Sequence, residues 1–137
     1  MKYNPDKYKK YIHKKYYAKY RRKYPIRYHL TLLKRRGCKL KLKTFEAWYK
    51  LQQERCYYCK ITIDIIKKIK WGFSHSWGNN PTILFLTIDK KDSKIGYKLS
   101  NMCLACSVCN GLKSYFFTEQ EFIKIANKYI KPKWKKM

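Results

Sequence analysis

Large apolar residues recur every fourth position near the start of the chain, at Tyr8, Ile12, Tyr16, Tyr20 and Tyr24, with lysines and arginines filling the gaps. That spacing predicts a basic helix carrying one aromatic stripe, opened by Asn4-Pro5-Asp6 and ended by Pro25. A second short helix is expected over Tyr28 to Arg36, with Gly37 as its cap. Leu40 and Leu42 alternate with lysines and predict a short strand or extended link. Thr44 then caps an amphipathic helix whose Phe45, Trp48, Tyr49 and Leu51 face inward. Ile61 to Ile69 is apolar but broken by Asp64 and two lysines, and it fits neither period. Trp71 to Pro81 reads as a loop from its Gly, Ser and Asn content. Thr82 to Ile88 is the clearest strand, short, β-rich and bounded by Pro81 and Asp89. A turn region from Lys90 to Ser100, around Gly96, leads to a second strand over Asn101 to Ala105, and the chain then turns helical to Lys113. Thr118 and Glu121 form a capping box that opens a last helix to Ile130, followed by a basic tail from Lys131 to Met137.

Helices and short strands are both expected, and the chain is read as α+β. At 137 residues it is one domain with appended arms. The expected divisions are a basic helical N-terminal arm over 1–43, a central domain over 44–117, and a C-terminal helix and tail over 118–137.

Charge changes the picture most. Against 34 Lys+Arg stand 8 Asp+Glu, a net charge of +26 that no internal pairing cancels. Such a surface calls for a polyanion, nucleic acid first and an anionic membrane second. Lys14, Lys15, Arg21, Arg22, Lys23, Arg35 and Arg36 are the candidate phosphate contacts in the arm. The same pattern is also met by a solvated helix whose tyrosines pack on the domain. No stretch approaches the roughly 20 apolar residues that span a bilayer. The charged N-terminus lacks an apolar signal segment, so an intracellular, non-secreted protein is expected. Abundant Lys, Ile, Tyr and Asn with scarce Gly and Ala point to A/T-rich codons, as in a virus, phage or organelle.

Six cysteines supply the chemistry. Cys56-Tyr57-Tyr58-Cys59 and Cys106-Ser107-Val108-Cys109 are two Cys-x-x-Cys knuckles, and Asn110 follows the second directly. Two intervening residues let both thiolates of a pair turn toward one point, and two pairs complete a tetrahedral, structural Zn²⁺ site. Without a secretory signal, this spacing favours metal over a disulfide framework. Joining the knuckles across 46 residues closes a long loop, which matters in a chain with a modest core. Cys38 and Cys103 are left over and read as buried small hydrophobes.

Taken as one unit, LTIDKKDSKIGYKLSNMCLACSVCNGLKS resembles the HNH, or ββα-metal, nuclease family, in its zinc-bearing phage-type and recombination-endonuclease-like members. The matching positions are Asp89, Asn101, Cys106, Cys109, Asn110 and Lys113, with the Gly96-Tyr97 turn and the upstream Gln53-Glu54-Arg55-Cys56-Tyr57-Tyr58-Cys59 as further landmarks. The resemblance covers roughly residues 44 to 117 and implies a small zinc-stapled ββα-metal core with basic flanking helices. It implies that Asp89 and the amide oxygen of Asn110 hold one Mg²⁺ or Mn²⁺ at the scissile phosphate. Asn101 would brace the turn, and Lys113 and Lys90 would meet phosphate. The family's general-base histidine should follow Asp89, where this chain has Lys90. A lysine of ordinary pKa is protonated at neutral pH and is not an equivalent base. His75, in the Ser74-His75-Ser76 loop, is a distant substitute, while His13 and His29 lie in the basic N-terminal region.

Two functions follow. One is a metal-dependent HNH-type endonuclease acting on DNA rather than RNA. The other is an inactive zinc-stapled binding protein on the same scaffold, for example RNA-binding or ribosome-associated. A zinc-ribbon transcription factor would explain the cysteines but not the Asp89, Asn101 and Asn110 set. Oligomeric state is not legible.

Overall fold

The computed structural model describes residues 16, 19–20, 23–68, 72–73, 82–83 and 86–136. Most of the expected aromatic-stripe helix, most of the loop before Thr82, and Lys14, Lys15, Arg21, Arg22, His13 and His75 lie outside the described residues. The chain divides into two units, Met1–Tyr49 and Lys50–Met137.

In the first unit, helix α1 (Pro25–Arg35) begins at a proline, whose missing N–H is harmless in a first turn. Its end follows from Gly37 at φ +86°, a left-handed conformation that costs glycine little. Gly37 N–H bonds the Lys34 carbonyl (3.1 Å) and Cys38 N–H bonds that of Leu33 (3.0 Å), the paired arrangement that satisfies a helix's last carbonyls. Leu30, Leu33 and Cys38 are buried. Helix α2 (Leu42–Lys50) starts two residues before Thr44, so Leu42 is helical and not part of a strand. Phe45 is fully buried, with the Trp48 and Tyr49 rings 5.7 and 6.1 Å away. Leu51, expected inward, lies past the helix end and is 82% exposed.

In the second unit, Ile63–Lys68 forms a short helix α3 and buries Ile66. The described parts of the run from Thr82 to Ile88 pair with different partners. Thr82–Ile83 (β2) pairs antiparallel with Gly72–Phe73 (β1), whereas Leu86–Lys90 (β3) pairs antiparallel with Met102–Cys106 (β4). A continuous apolar run carries no alternation to choose one partner, so the neighbouring segments decide. In the β3–β4 ladder Asp89 faces Cys103 and Lys90 faces Met102. A 3₁₀ turn (Leu99–Asn101) precedes β4, and helix α4 (Ser107–Lys113) follows it without a gap.

Thr118 and Glu121 cap helix α5 (Glu119–Ile125) reciprocally, as their spacing predicts. The helix does not stop at Ile130. A π-helical turn (Ala126–Ile130) carries it into α6 (Lys131–Lys135), with Pro132 in the first turn of that segment. Phe122, Ala126, Ile130 and Trp134 are all buried, four residues apart. In a regular α-helix each four-residue step drifts by about 40°. The wider π turn takes back part of that drift and keeps the four on one face. That face packs with Tyr58, Ile61, Cys103, Ala105 and the knuckle cysteines in one core cluster. Among the described residues, no helix is long and apolar enough to cross a membrane.

Candidate metal centre and polar site

Each knuckle is shaped by its own backbone. Lys60 N–H bonds the Cys56 carbonyl (3.0 Å), and Lys60 adopts φ +63°, turning the chain so that Cys56 and Cys59 converge. Tyr57 N–H reaches the Leu104 carbonyl (2.7 Å), which ties the first knuckle to β4, the strand that ends in the second. In the second knuckle Cys106 caps α4, its sulfur accepting from Cys109 N–H at 3.4 Å. The four sulfurs of Cys56, Cys59, Cys106 and Cys109 lie within 4.8 Å of one another, and all four residues are buried.

A tetrahedral site with metal–sulfur bonds of about 2.3 Å has sulfur–sulfur edges of about 3.8 Å. The Cys59 and Cys106 sulfurs are 3.8 Å apart, and none of the six cysteines is in a disulfide. Four converging thiols with no competing bond fit a structural metal such as zinc. Hydrogen bonds from Cys106 and Cys109 hold the Cys56 thiol far below its ordinary range, while the bond to Cys106 pushes Cys109 far above it. Thiols must give up their protons to bind a dication, so the affinity of such a cluster falls in acid.

Beside the cysteines lies a second constellation. Asp89, near the end of β3, is 9% exposed. Its Oδ2 accepts from the Tyr58 hydroxyl (2.7 Å) and pairs with the Lys113 ammonium (3.3 Å). Lys113 is fully buried and also donates to the Lys90 carbonyl (2.8 Å). Expected at a phosphate, Lys113 is instead held under β3, because an ammonium without solvent contact must be matched inside. Burial and the bond to Asp89 raise the Tyr58 hydroxyl far above its ordinary range, so it remains a donor. Asp89 Oδ1 accepts no hydrogen bond among the described residues, which leaves one hard oxygen for a cation.

Asn101 sits beneath the turn between the strands. Its Oδ1 accepts from Asp92 N–H (2.9 Å), and its Nδ2 donates to the carbonyls of Asp92 (2.9 Å), Ile95 (3.2 Å) and Gly96 (3.2 Å). It therefore closes the loop, as a turn-bracing role requires. Lys90 points into the same loop, donating to the Ser93 carbonyl (2.8 Å) with its nitrogen 5.4 Å from the centre of the Tyr97 ring. Asn110 is on α4, half-buried. Lys23, Arg35 and Arg36 are exposed in the first unit, where His29 stacks on Tyr49 at 5.8 Å. Cys38 and Cys103 are buried, and burial pushes the Cys103 thiol up to about 12.

Two participants escape a reading of the sequence. Tyr58 is an interior residue of the first knuckle, and nothing local marks its reach to a residue 31 positions away. Trp134 donates its indole N–H to the Cys59 sulfur at 3.1 Å from what reads as a basic tail. The four-residue spacing from Phe122 onward was the available signal.

An antiparallel pair, a braced turn and a helix that shares its cysteines with a distant knuckle define an α+β, HNH-like fold. Among solved structures, the rare-cutting HNH restriction endonuclease PacI, which is described as perturbing DNA, is similar to this chain with 28% identity and a TM-score of 0.60, over 79% of this chain and 75% of that one. No protein-family model and no curated protein matches the sequence.

Proposed function

We propose that this chain is an HNH-type endonuclease that hydrolyses phosphodiester bonds of DNA with the help of a divalent metal. The observation that carries the reading is the Asp89 carboxylate, held at the end of β3 by Tyr58 and Lys113 and adjacent in the fold motif to the helix that bears Asn110. Likeness to an HNH restriction endonuclease supports it. Asp89 and the Asn110 amide oxygen would hold Mg²⁺ or Mn²⁺, hard oxygen ligands suiting those ions, and the ion supplies charge stabilisation at the scissile phosphate. The chain's own residues do the rest. Tyr58 and Lys113 fix Asp89, Asn101 holds the turn, and the structural zinc at Cys56, Cys59, Cys106 and Cys109 joins both sides of the site. DNA is drawn in by the +26 charge.

Nicking of supercoiled plasmid with Mg²⁺ or Mn²⁺, lost in Asp89→Ala and Asn110→Ala, tests the reading. Lys90→His should raise the rate, since general-base catalysis is worth about 10²–10⁴-fold. A second reading, an inactive zinc-stapled nucleic-acid-binding protein, draws on one observation. Lys90 stands where a base is needed, and its ammonium is committed to the Ser93 carbonyl. No nicking by wild type or Lys90→His, with tight nucleic-acid binding by both, selects this second reading.

A further inference from the structure

Immediately after α4 the chain presents two aromatic rings to solvent. Tyr115 and Phe116 are 76% and 75% exposed, more than any other described aromatic residue. Their rings stack on each other, centroids 5.2 Å apart and planes 27° from parallel. Each ring thus covers one face of its neighbour and leaves its outer face open.

The loop is held, not frayed. Ser114 leaves the helix at φ +47°, a conformation that side-chain-bearing residues rarely adopt, so the chain turns outward abruptly. Ser114 N–H bonds the Asn110 carbonyl (3.1 Å) and Phe117 N–H bonds that of Lys113 (3.3 Å). The Phe117 ring lies 6.0 Å from that of buried Phe122 and anchors the far end.

These rings form one wall of an open groove of about 480 Å³ whose other wall is the turn that follows β3, including Lys91 and Lys94. Lys94 is exposed. Two carboxylates also line the groove. Glu119 pairs with Lys91 at 3.8 Å and accepts from Tyr57, while Asp92 accepts from Lys94 N–H. The groove opens two residues from Asp89.

From this arrangement we infer that Tyr115 and Phe116 form a stacking platform for a nucleobase, with exposed Lys94 meeting the adjoining phosphate. A base offers a flat apolar face and a phosphate offers charge, and together they match an aromatic wall that faces an exposed lysine. A duplex stacks its own bases, so the occupant is a base of DNA that has left the stack or lies at a strand end. The inference rests on the nucleic-acid reading above and adds a contact that the charge alone does not supply.

The test compares an oligothymidylate with an oligomer of equal length and charge whose sugars carry no bases. Wild type should bind the thymidylate more tightly, and Tyr115→Ser/Phe116→Ser should weaken thymidylate binding about 5- to 150-fold while changing little on the base-free strand, the span of a single base–aromatic stack. Phe116→Trp should retain the discrimination. Because both side chains are exposed, zinc content and thermal unfolding of the variants should match wild type. The dependence of affinity on salt should also be unchanged, since every phosphate-binding group is kept. Equal affinity for the two oligomers, or discrimination that survives the double substitution, overturns the platform and leaves the nuclease reading standing. Failure to bind either oligomer overturns the platform as well, and plasmid nicking then decides the nuclease reading by itself. A dimer that becomes a monomer in Tyr115→Ser/Phe116→Ser overturns it too, and assigns the face to a second copy of the chain.

Discussion

The two units carry equal numbers of basic residues, 17 each, but Met1–Tyr49 holds 2 acidic residues and Lys50–Met137 holds 6. Their surroundings differ more than this count implies. In the first unit Lys23, Arg27, Lys34, Arg35, Arg36, Lys39, Lys41 and Lys43 are all exposed. In the second, Lys113 is buried against Asp89, Lys90 is bound to a loop carbonyl, and Lys91 pairs with Glu119. Charge in the first unit is available to a partner; in the second, part of it builds the site. The same residue type therefore serves affinity in one place and architecture in the other, and burial decides which.

If that contrast is right, removing the metal should break one unit only. Chelation, or Cys109→Ser, should abolish zinc binding and the cooperative unfolding of 50–137, since apparent structural-zinc binding energies of about 10–16 kcal/mol are folding energy in small zinc domains. The aromatic cluster around Phe45 has no metal ligand and should keep its circular-dichroism signal. Natively purified protein without zinc, or with disulfides among these cysteines, would sink the metal assignment.

Next in size is the buried pair. Lys113→Met leaves Asp89 almost out of solvent without its counter-charge, and removing one partner of a buried pair typically costs about 3–5 kcal/mol. Asp89 keeps slight solvent contact, so the lower end is expected in denaturant unfolding. Lys113→Met/Asp89→Asn should recover part of the loss, because the uncompensated charge is gone. Lys34→Met, an exposed lysine of the first unit, should change stability by less than about 0.5 kcal/mol.

The arm sharpens the other side of the contrast. Residues 1–24 hold 10 of the 34 basic residues. Their deletion should weaken binding to unrelated duplexes about equally and flatten the plot of log affinity against log salt by about 0.9 for each phosphate that the arm neutralises. An unchanged slope would mean that this charge is solvated and serves no partner.

What could be read in advance follows the same division between local and distant causes. The knuckles, the strand–turn–strand–helix order, the Gly37 cap and the Thr118–Glu121 box are set by residues within a few positions of one another, and spacing alone reveals them. The change of partner along the Thr82–Ile88 run is not local, because Thr82–Ile83 and Leu86–Lys90 differ in which distant segment they pair with. Lys113 carries no mark of burial either; only the fold brings Asp89 and the Lys90 carbonyl to its ammonium. Pro132 and the lysines around Trp134 argue for a tail, and the buried face from Phe122 overrides them. Of the candidate site, Asp89 and Asn101 were legible as types at motif spacing. Tyr58, which holds Asp89, was not, since the contact spans 31 residues.

The smallest predicted effect concerns a hydrogen bond at the edge of the zinc unit. Tyr57 donates to Glu119 Oε1 at 2.6 Å, and that bond, with burial, pushes its hydroxyl up to about 12. A free tyrosine titrates near about 10. A group whose folded value is raised contributes stability that is fully present below the unfolded value and is lost as pH rises through the folded one. Tyr57→Phe should therefore cost roughly 0.5–1 kcal/mol below about pH 10, the size of a partly exposed hydrogen bond. The gap should close between about pH 10 and 12, as wild type loses the same bond by ionisation. Lysines also titrate there, but in both proteins, so the difference curve cancels them. A gap at Tyr57 that stays constant to pH 12 would mean that the substitution acts through packing between Lys60 and Lys91, whose nitrogens lie 4.9 and 4.8 Å from the ring centre, and not through Glu119.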